Sequence, residues 1–157
     1  MIKALLIDFA RTLIFSVDEN YAGGINDLYD KVKDDPDFKF FEYYKLNTKF
    51  LVYLDSIKGK IPLYMFTSEF IQDDPAIKGK IYGIFKKIYS AKEIGMSKKD
   101  PDAYKFIAKD LNLSPDEVLF IDDSMENIAA AQKAGMNVIQ YKDNNIVGEI
   151  SEVLKEN

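Results

Sequence analysis

Near its start the chain reads IKALLIDFARTL (residues 2–13), and the remaining elements can be placed relative to this stretch. Residues 2–9 form a mainly apolar run of the length expected for a strand that is buried on both faces of a sheet. An acid, Asp8, lies near the end of the run. We therefore predict that Ile2 to Phe9 is a central parallel strand that carries Asp8 at its carboxyl end.

Strands and helices alternate along the rest of the sequence. Apolar runs predict further strands at Ile61 to Phe66, Lys87 to Ser90, Val118 to Ile121 and Asn137 to Gln140. Apolar spacing and capping residues predict helices from Ile25, from Leu46 to Ile57, from Asp100-Pro101, from Ser124 to Gly135 and from Ile146 to Lys155, with a single turn at Ser114 to Glu117. This alternation predicts an α/β fold, a Rossmann-like parallel sheet flanked by helices, with ligands at the carboxyl ends of the strands.

Composition limits the chemistry that the chain offers. Its 157 residues are 47% hydrophobic and 30% charged, as expected of one globular domain. The 21 basic and 26 acidic side chains give a net charge of −5, which argues against nucleic acid as a partner. The sequence has no Cys and no His, which excludes thiol and imidazole catalysis. No apolar stretch approaches the roughly 18 residues of a membrane span, so we expect a cytoplasmic protein without a membrane partner.

Polar residues follow three of the predicted strands. Asp8 lies near the end of the first, Thr67 and Ser68 follow the second, and Asp122 and Asp123 follow the fourth. Lys98, in the loop before the helix at Asp100, can reach the same edge of the sheet. Clustered carboxylates raise one another's pKa unless a cation lies between them, and Mg²⁺ prefers oxygen ligands. The pattern favours a magnesium site at which Lys98 and Thr67 contact phosphoryl oxygens.

These segments resemble, in order, the motifs of the haloacid dehalogenase-like hydrolases, a superfamily dominated by magnesium-dependent phosphatases. Residues 8–13 (DFARTL) resemble its first motif and Thr67 its second-motif hydroxyl. Lys98, followed by KDP (residues 99–101), resembles the third motif, and FIDDS (residues 120–124) resembles the acidic fourth motif. The resemblance covers nearly the whole chain.

The resemblance implies a role for each matching residue. Asp8 would be the nucleophile that forms an aspartyl phosphate, with Thr67 and Lys98 as the other catalytic residues. The metal ligands would be Asp8, the backbone carbonyl of Ala10, Asp122 and Asp123. Ser68 and Arg11 are candidate substrate-binding residues.

Two residues depart from the family pattern. Ala10 stands where the phosphatases have a second aspartate that serves as general acid and base, so metal binding should survive better than turnover. The dehalogenases and a phosphonoacetaldehyde hydrolase also lack that aspartate. The dehalogenases need no metal, however, and the hydrolase needs a larger cap, so a phosphatase is preferred. Arg11 stands where glycine is usual, and it is either a solvated residue or an anchor for phosphate.

The segment 15–58 is predicted to be a small helical cap inserted after the first strand, with residues 1–14 and 59–157 as the core. We expect this segment to be long enough for only two helices. It is rich in aromatic residues: Phe38, Phe40, Phe41, Tyr43, Tyr44, Phe50 and Tyr53. These rings either pack the cap against the core or form a substrate surface or a homodimer interface.

Two functional hypotheses follow. The first is a magnesium-dependent phosphatase that acts on a small phosphorylated molecule through Asp8. The second is a catalytically impaired relative that binds a phosphate ligand or a protein partner, and Ala10 is the residue that motivates it.

Overall fold

The computed structural model describes residues 1–155, which form a three-layer α/β/α structure. The strands are β1 (Ala4–Ile7), β2 (Ile14–Ser16), β3 (Tyr44–Leu46), β4 (Leu63–Thr67), β5 (Lys87–Ser90), β6 (Val118–Asp122) and β7 (Asn137–Gln140). The α-helices are α1 (Ile25–Val32), α2 (Phe40–Tyr43), α3 (Thr48–Ile57), α4 (Lys78–Tyr82), α5 (Ala91–Ile94), α6 (Pro101–Asp110), α7 (Met125–Lys133) and α8 (Ile146–Lys155). Single 3₁₀ turns occur at Ile71–Asp73 and Pro115–Glu117.

The main sheet has five parallel strands in the order β5–β4–β1–β6–β7. β1 is central, and all four of its residues are fully buried. Leu5 and Ile7 belong to one hydrophobic cluster, which includes residues of α3, α4 and α8, whereas Leu6 belongs to the other, which includes residues of α6 and α7. This alternation confirms the predicted Rossmann-like parallel sheet with helices on both faces.

Several element boundaries differ from the prediction because backbone hydrogen bonds end the elements elsewhere. β1 stops before Asp8, and the carbonyl of Phe9 accepts hydrogen bonds from the amides of Leu13 and Ile14 at 2.8 and 3.0 Å. β4 starts at Leu63 rather than Ile61, because the Ile61 amide donates to the carbonyl at the end of α3 (3.1 Å).

The segment 15–58 contains more than the two predicted helices. Its three helices, α1 to α3, are accompanied by β3, which pairs with β2 in a two-stranded antiparallel sheet. Leu46 has helical spacing with the apolar residues of α3, but it pairs with Ile14 in this sheet, and α3 begins only at Thr48. Of the seven rings named above, Phe41 is 60% exposed and the others are buried or partly buried. The division into core and cap remains a prediction.

Asn47 connects α3 to the loop after β1. Its side-chain oxygen accepts a hydrogen bond from the Phe50 amide (3.2 Å), which caps the helix. Its amide nitrogen donates to the carbonyl of Thr12 (3.1 Å) and to the hydroxyl of Tyr141 (2.9 Å). The Tyr141 ring in turn stacks on Phe50, with ring centroids 6.0 Å apart. Asn47 therefore holds three parts of the chain together.

We expect Asn47→Ala to lower the free energy of unfolding by about 2 to 4 kcal/mol, because it removes a helix cap and leaves two buried polar groups without their partner. Urea denaturation followed by circular dichroism measures the change. Asn20→Ala, at an exposed position, is the matched control and should stay within about 0.5 kcal/mol of the wild type. A loss at Asn47 no larger than in the control would contradict this account.

Candidate functional site

Two neighbouring strands, β1 and β6, end at the same edge of the sheet and bring the predicted acidic residues together. Asp8 directly follows β1, Asp122 is the last residue of β6, and Asp123 is the next residue. One carboxylate oxygen from each of the three lies within 4.8 Å of the others. Thr67 ends β4 on the other side of β1. The parallel arrangement makes this convergence unavoidable, because the carboxyl ends of parallel strands lie at one edge.

Lys98 reaches the same place from the loop before α6. Its side chain is only 5% exposed, and its ammonium contacts the carboxylate of Asp8 and lies 2.8 Å from Oδ2 of Asp122. The Tyr104 hydroxyl donates to the backbone carbonyl of Lys98 at 2.7 Å, and Asp100 caps α6 through the Asp102 amide at 2.9 Å. The loop is thus fixed at two points, and it directs the lysine into the cluster of acids.

Burial and neighbouring charges together set the pKa of these groups. It raises the pKa of Asp8 to about 7, and the charges of Asp122 and Asp123 act in the same direction against the attraction of Lys98. Burial and the charge of Asp122 also raise the pKa of Asp123, although Lys98 and Arg11 oppose this shift. For Lys98, burial favours the neutral amine, but the attraction of Asp8 and Asp122 outweighs it and raises the pKa of the ammonium. One lysine does not balance three acids, which leaves room for a further positive charge.

Hydrogen bonds that the sequence did not predict orient the aspartates. The Thr12 hydroxyl donates to Oδ2 of Asp8 at 3.1 Å. The Ser124 amide donates to Oδ1 of Asp122 at 2.8 Å, and the Asn127 side chain donates to Oδ2 at 3.0 Å. Asn127 lies on the first turn of α7, three residues after Ser124, and this proximity to the acidic pair is the only signal in the sequence that could have indicated it.

Thr67 presents an unused hydrogen-bonding group. Its side chain is 1% exposed, yet its hydroxyl oxygen is buried without a hydrogen-bond partner among the described residues. Leaving a buried hydroxyl without a partner costs folding free energy, so an atom of this kind at a strand end fits a hydrogen bond with a ligand. Ser68, the next residue, lines the cavity described next.

A cavity of about 310 Å³, which we call the strand-end cavity, opens over the aspartates. Asp8, Ala10, Arg11, Ser68, Lys98, Asp123 and Asn127 line it, together with residues at the start of α1. Six of the eight residues predicted for the site therefore border one cavity. Thr67 and Asp122 are not among the lining residues, although Asp122 contacts Lys98 and belongs to the acidic cluster.

Arg11 has an unusual backbone conformation. Its φ is 61°, in the left-handed region that normally favours glycine, and its side chain donates a hydrogen bond to the carbonyl of Gly23. Neighbouring Ala10 contributes only a methyl group and its backbone to the strand-end cavity. Position 10 therefore adds no carboxylate to the wall of this cavity.

The residues present fit a hard divalent cation. The three carboxylates offer oxygen ligands only, which suits Mg²⁺ better than zinc or copper. Burial, together with the charge of the neighbouring aspartates, raises the pKa of Asp8 and of Asp123, and a bound cation would oppose this effect by favouring the ionised carboxylates.

The fold and this site define a Rossmann-like α/β protein with an acidic strand-end site. A family model of haloacid dehalogenase-like hydrolases matches residues 4–135, which include Asp8, Thr67, Lys98, Asp122 and Asp123. The chain belongs to this family of hydrolases.

Individual relatives agree with this assignment. The chain is 38% identical over 84 residues to an enolase-phosphatase E1 of Aquifex aeolicus, a match that covers 51% of this chain and 37% of the relative. It is 31% identical over 93 residues to a sesquiterpene phosphatase of Aspergillus oryzae, which covers 57% of this chain and 47% of the relative. The chain thus spans less than half the length of these curated relatives.

Solved structures share the fold at lower identity. A haloacid dehalogenase family enzyme from Bacteroides thetaiotaomicron, solved in complex with magnesium and inorganic phosphate, superposes with a TM-score of 0.67 at 21% identity. That match covers 90% of this chain and 95% of the other. Over residues 1–155, none of the helices combines the length and the apolar character needed to cross a membrane.

Proposed function

We propose that the chain is a magnesium-dependent phosphatase that releases phosphate from a small phosphate monoester through an aspartyl-phosphate intermediate. The observation that carries the proposal is the convergence of Asp8, Asp122, Asp123 and Lys98 at one edge of the sheet, beside the unpartnered hydroxyl of Thr67. The phosphatases among its relatives and the neighbour solved with magnesium and phosphate support it.

In the proposed first step, a carboxylate oxygen of Asp8 attacks phosphorus. The bond between phosphorus and the ester oxygen breaks, and its electron pair leaves with that oxygen. Thr12 donates to the other oxygen of Asp8 and so orients the attacking one. Water then attacks the aspartyl phosphate, which returns the Asp8 carboxylate and releases inorganic phosphate.

The other residues stabilise charge. Mg²⁺, held by Asp8, the Ala10 carbonyl, Asp122 and Asp123, would supply positive charge for the phosphoryl oxygens. We assign the Lys98 ammonium and the hydroxyls of Thr67 and Ser68 to hydrogen bonds with the same oxygens, because charge on them must be balanced as phosphorus is transferred. Ala10 supplies no proton to the leaving oxygen and removes none from water.

The test is phosphate release from an aryl phosphate such as 4-nitrophenyl phosphate, with Mg²⁺ and after its removal with EDTA. We expect turnover to fall to the buffer rate without the metal and to return when Mg²⁺ is added in excess, because the cluster of acids otherwise repels the phosphate dianion. Turnover that is unaffected by EDTA would overturn the proposal.

The second candidate function is non-catalytic binding of a phosphate ligand, which Ala10 favours because the missing carboxylate affects turnover more than binding. A protein of this kind should show no turnover of any phosphate ester. It should still melt at a higher temperature with Mg²⁺ and phosphate together, because a ligand that binds only the folded state stabilises it.

A further inference from the structure

A second cavity, of about 300 Å³, adjoins the strand-end cavity. The two share Arg11 and Ile25 as lining residues. The rest of the second cavity is lined by β2, by the loop that leads to α1 and by Lys45 of β3, so we call it the β2 cavity. The strand-end cavity, which Asp8 lines, and this second cavity therefore meet at Arg11 and Ile25.

Three of the eight residues that line the β2 cavity are apolar or aromatic. Phe15, Tyr21 and Ile25 form this part of its wall, and Ile25 is 4% exposed. Apolar and aromatic side chains of this kind bind flat apolar groups by removing both surfaces from water.

The charged groups of the β2 cavity already have partners. Lys45 lies 2.8 Å from the carboxylate of Glu19. Oδ1 of Asp18 accepts a hydrogen bond from the Asn20 amide at 3.0 Å. Lys45 and Asp18 are thus partly satisfied within the protein, and the two basic and two acidic side chains of the lining, Arg11, Lys45, Asp18 and Glu19, give it no net charge.

Arg11 forms the boundary between the two cavities. Its guanidinium donates to the Gly23 carbonyl, which ties the loop of the β2 cavity to the loop after β1. A guanidinium is planar and stacks on aromatic rings. The boundary therefore suits a flat ring that is attached close to the phosphate.

The chemistry of the strand-end cavity favours the same kind of ligand. Because Ala10 cannot protonate the departing oxygen, the ester must have a leaving group that is stable as an anion. A phenolate meets this requirement, whereas a simple alkoxide does not. The lining of one cavity and the missing acid in the other are independent observations.

We propose that the β2 cavity holds the leaving group and that the substrate is a phosphate monoester of an aromatic alcohol. This inference rests on the proposed phosphatase function of the strand-end cavity. Phosphorus is transferred to Asp8, the bond to the aryl oxygen breaks with its electron pair on that oxygen, and the phenolate takes a proton from water after it departs.

The test compares phenyl phosphate with 2-naphthyl phosphate, whose leaving groups are of similar acidity but differ by one ring. Binding is measured by calorimetry with Mg²⁺ in Asp8→Asn, which is expected not to consume the ligand. We expect the naphthyl ester to bind about tenfold more tightly, because its second ring is buried in the β2 cavity. In the wild type, the same preference should appear in kcat/KM.

Two further substitutions test whether the β2 cavity causes the preference for the naphthyl ester. Tyr21→Ala removes one aromatic wall and Ser16→Trp fills the cavity from β2, so we expect both to reduce the tenfold preference to less than about twofold. Tyr82→Ala, which removes a ring that is 46% exposed on α4, is the control and should retain it.

Equal affinity for the two esters in the parent protein would overturn the inference, as would a preference that survives in both cavity variants. Tighter binding of octyl phosphate than of 2-naphthyl phosphate would overturn the aromatic assignment. The affinities are measured without turnover and therefore do not depend on catalysis. An absence of catalysis in the wild type would contradict the proposed function, whereas the binding preference would still test the assignment of the β2 cavity.

Discussion

Asp8→Asn should reduce the release of phosphate from an aryl phosphate by at least about 10⁴-fold, which is the largest loss that we expect from any single substitution. The amide keeps the size of the carboxyl group and one oxygen for a metal ligand or for the Thr12 hydroxyl. It cannot form an aspartyl phosphate, however, so only catalysis by the remaining charged groups survives.

The fold should tolerate this substitution. Burial raises the pKa of Asp8 to about 7, which means that the ionised carboxylate costs folding free energy in spite of its contact with Lys98. A neutral amide avoids that cost. We therefore expect the melting temperature of Asp8→Asn without metal to be no lower than that of the wild type.

The matched control is Asp116→Asn, which makes the same change at an exposed position before β6. It should leave phosphate release unchanged within about twofold. Residual turnover of Asp8→Asn above about one-hundredth of the wild-type rate, with the control normal, would show that Asp8 is not the nucleophile. A parallel loss in both variants would point to a defect in the assay or in folding.

The sequence predicted the positions of the acids because those positions depend on one simple rule. Once Ala4–Ile7 and Val118–Asp122 are buried parallel strands, Asp8 and Asp122 must lie at the same edge, whatever the loops do. Lys98 was predicted to reach that edge. Its contacts with both aspartates, however, depend on how α6 packs against the sheet, and no local sequence pattern indicates that packing.

Other parts of the site needed the tertiary structure. Thr12 is close to Asp8 only because the chain turns back at Phe9, and Asn127 meets Asp122 only because α7 starts immediately after β6. The β2 cavity is formed by a short antiparallel pair, β2 and β3, that joins residues about thirty positions apart in the sequence. Leu46 illustrates the difficulty, since its spacing is helical and its partner in space makes it a strand residue.

Ala10→Asp should raise the turnover of a simple alkyl phosphate by about 10² to 10⁴, the contribution typical of a positioned general acid. Ala10 borders the strand-end cavity and is partly exposed, so a carboxyl group at this position has access to the leaving oxygen. The three nearby acids should raise the pKa of the new carboxyl group, which keeps a fraction of it protonated near neutral pH. An alkoxide needs that proton in order to depart.

The gain should depend on the leaving group. A nitrophenolate departs without help, so we expect Ala10→Asp to change turnover of 4-nitrophenyl phosphate by less than about tenfold. Ala10→Asn is the matched control, because the amide has nearly the same size as the carboxyl group but cannot transfer a proton. It should not raise the turnover of either ester. The measurement is kcat/KM for both esters in the wild type and the two variants, because this ratio reports the steps up to departure of the leaving oxygen and not the later hydrolysis of the aspartyl phosphate.

Each departure from that pattern has a different physical meaning. Equal gains for the alkyl and aryl esters would indicate faster hydrolysis of the aspartyl phosphate or a change in metal affinity, since both substrates share the intermediate and the metal. Equal gains in Ala10→Asp and Ala10→Asn would indicate an effect of size or hydration rather than of proton transfer. Alkyl phosphates could also remain inert in Ala10→Asp while the aryl ester turned over normally. In that case the missing carboxylate would not be what restricts the substrates of this site. The fit of the leaving group beside Arg11 would be the remaining constraint.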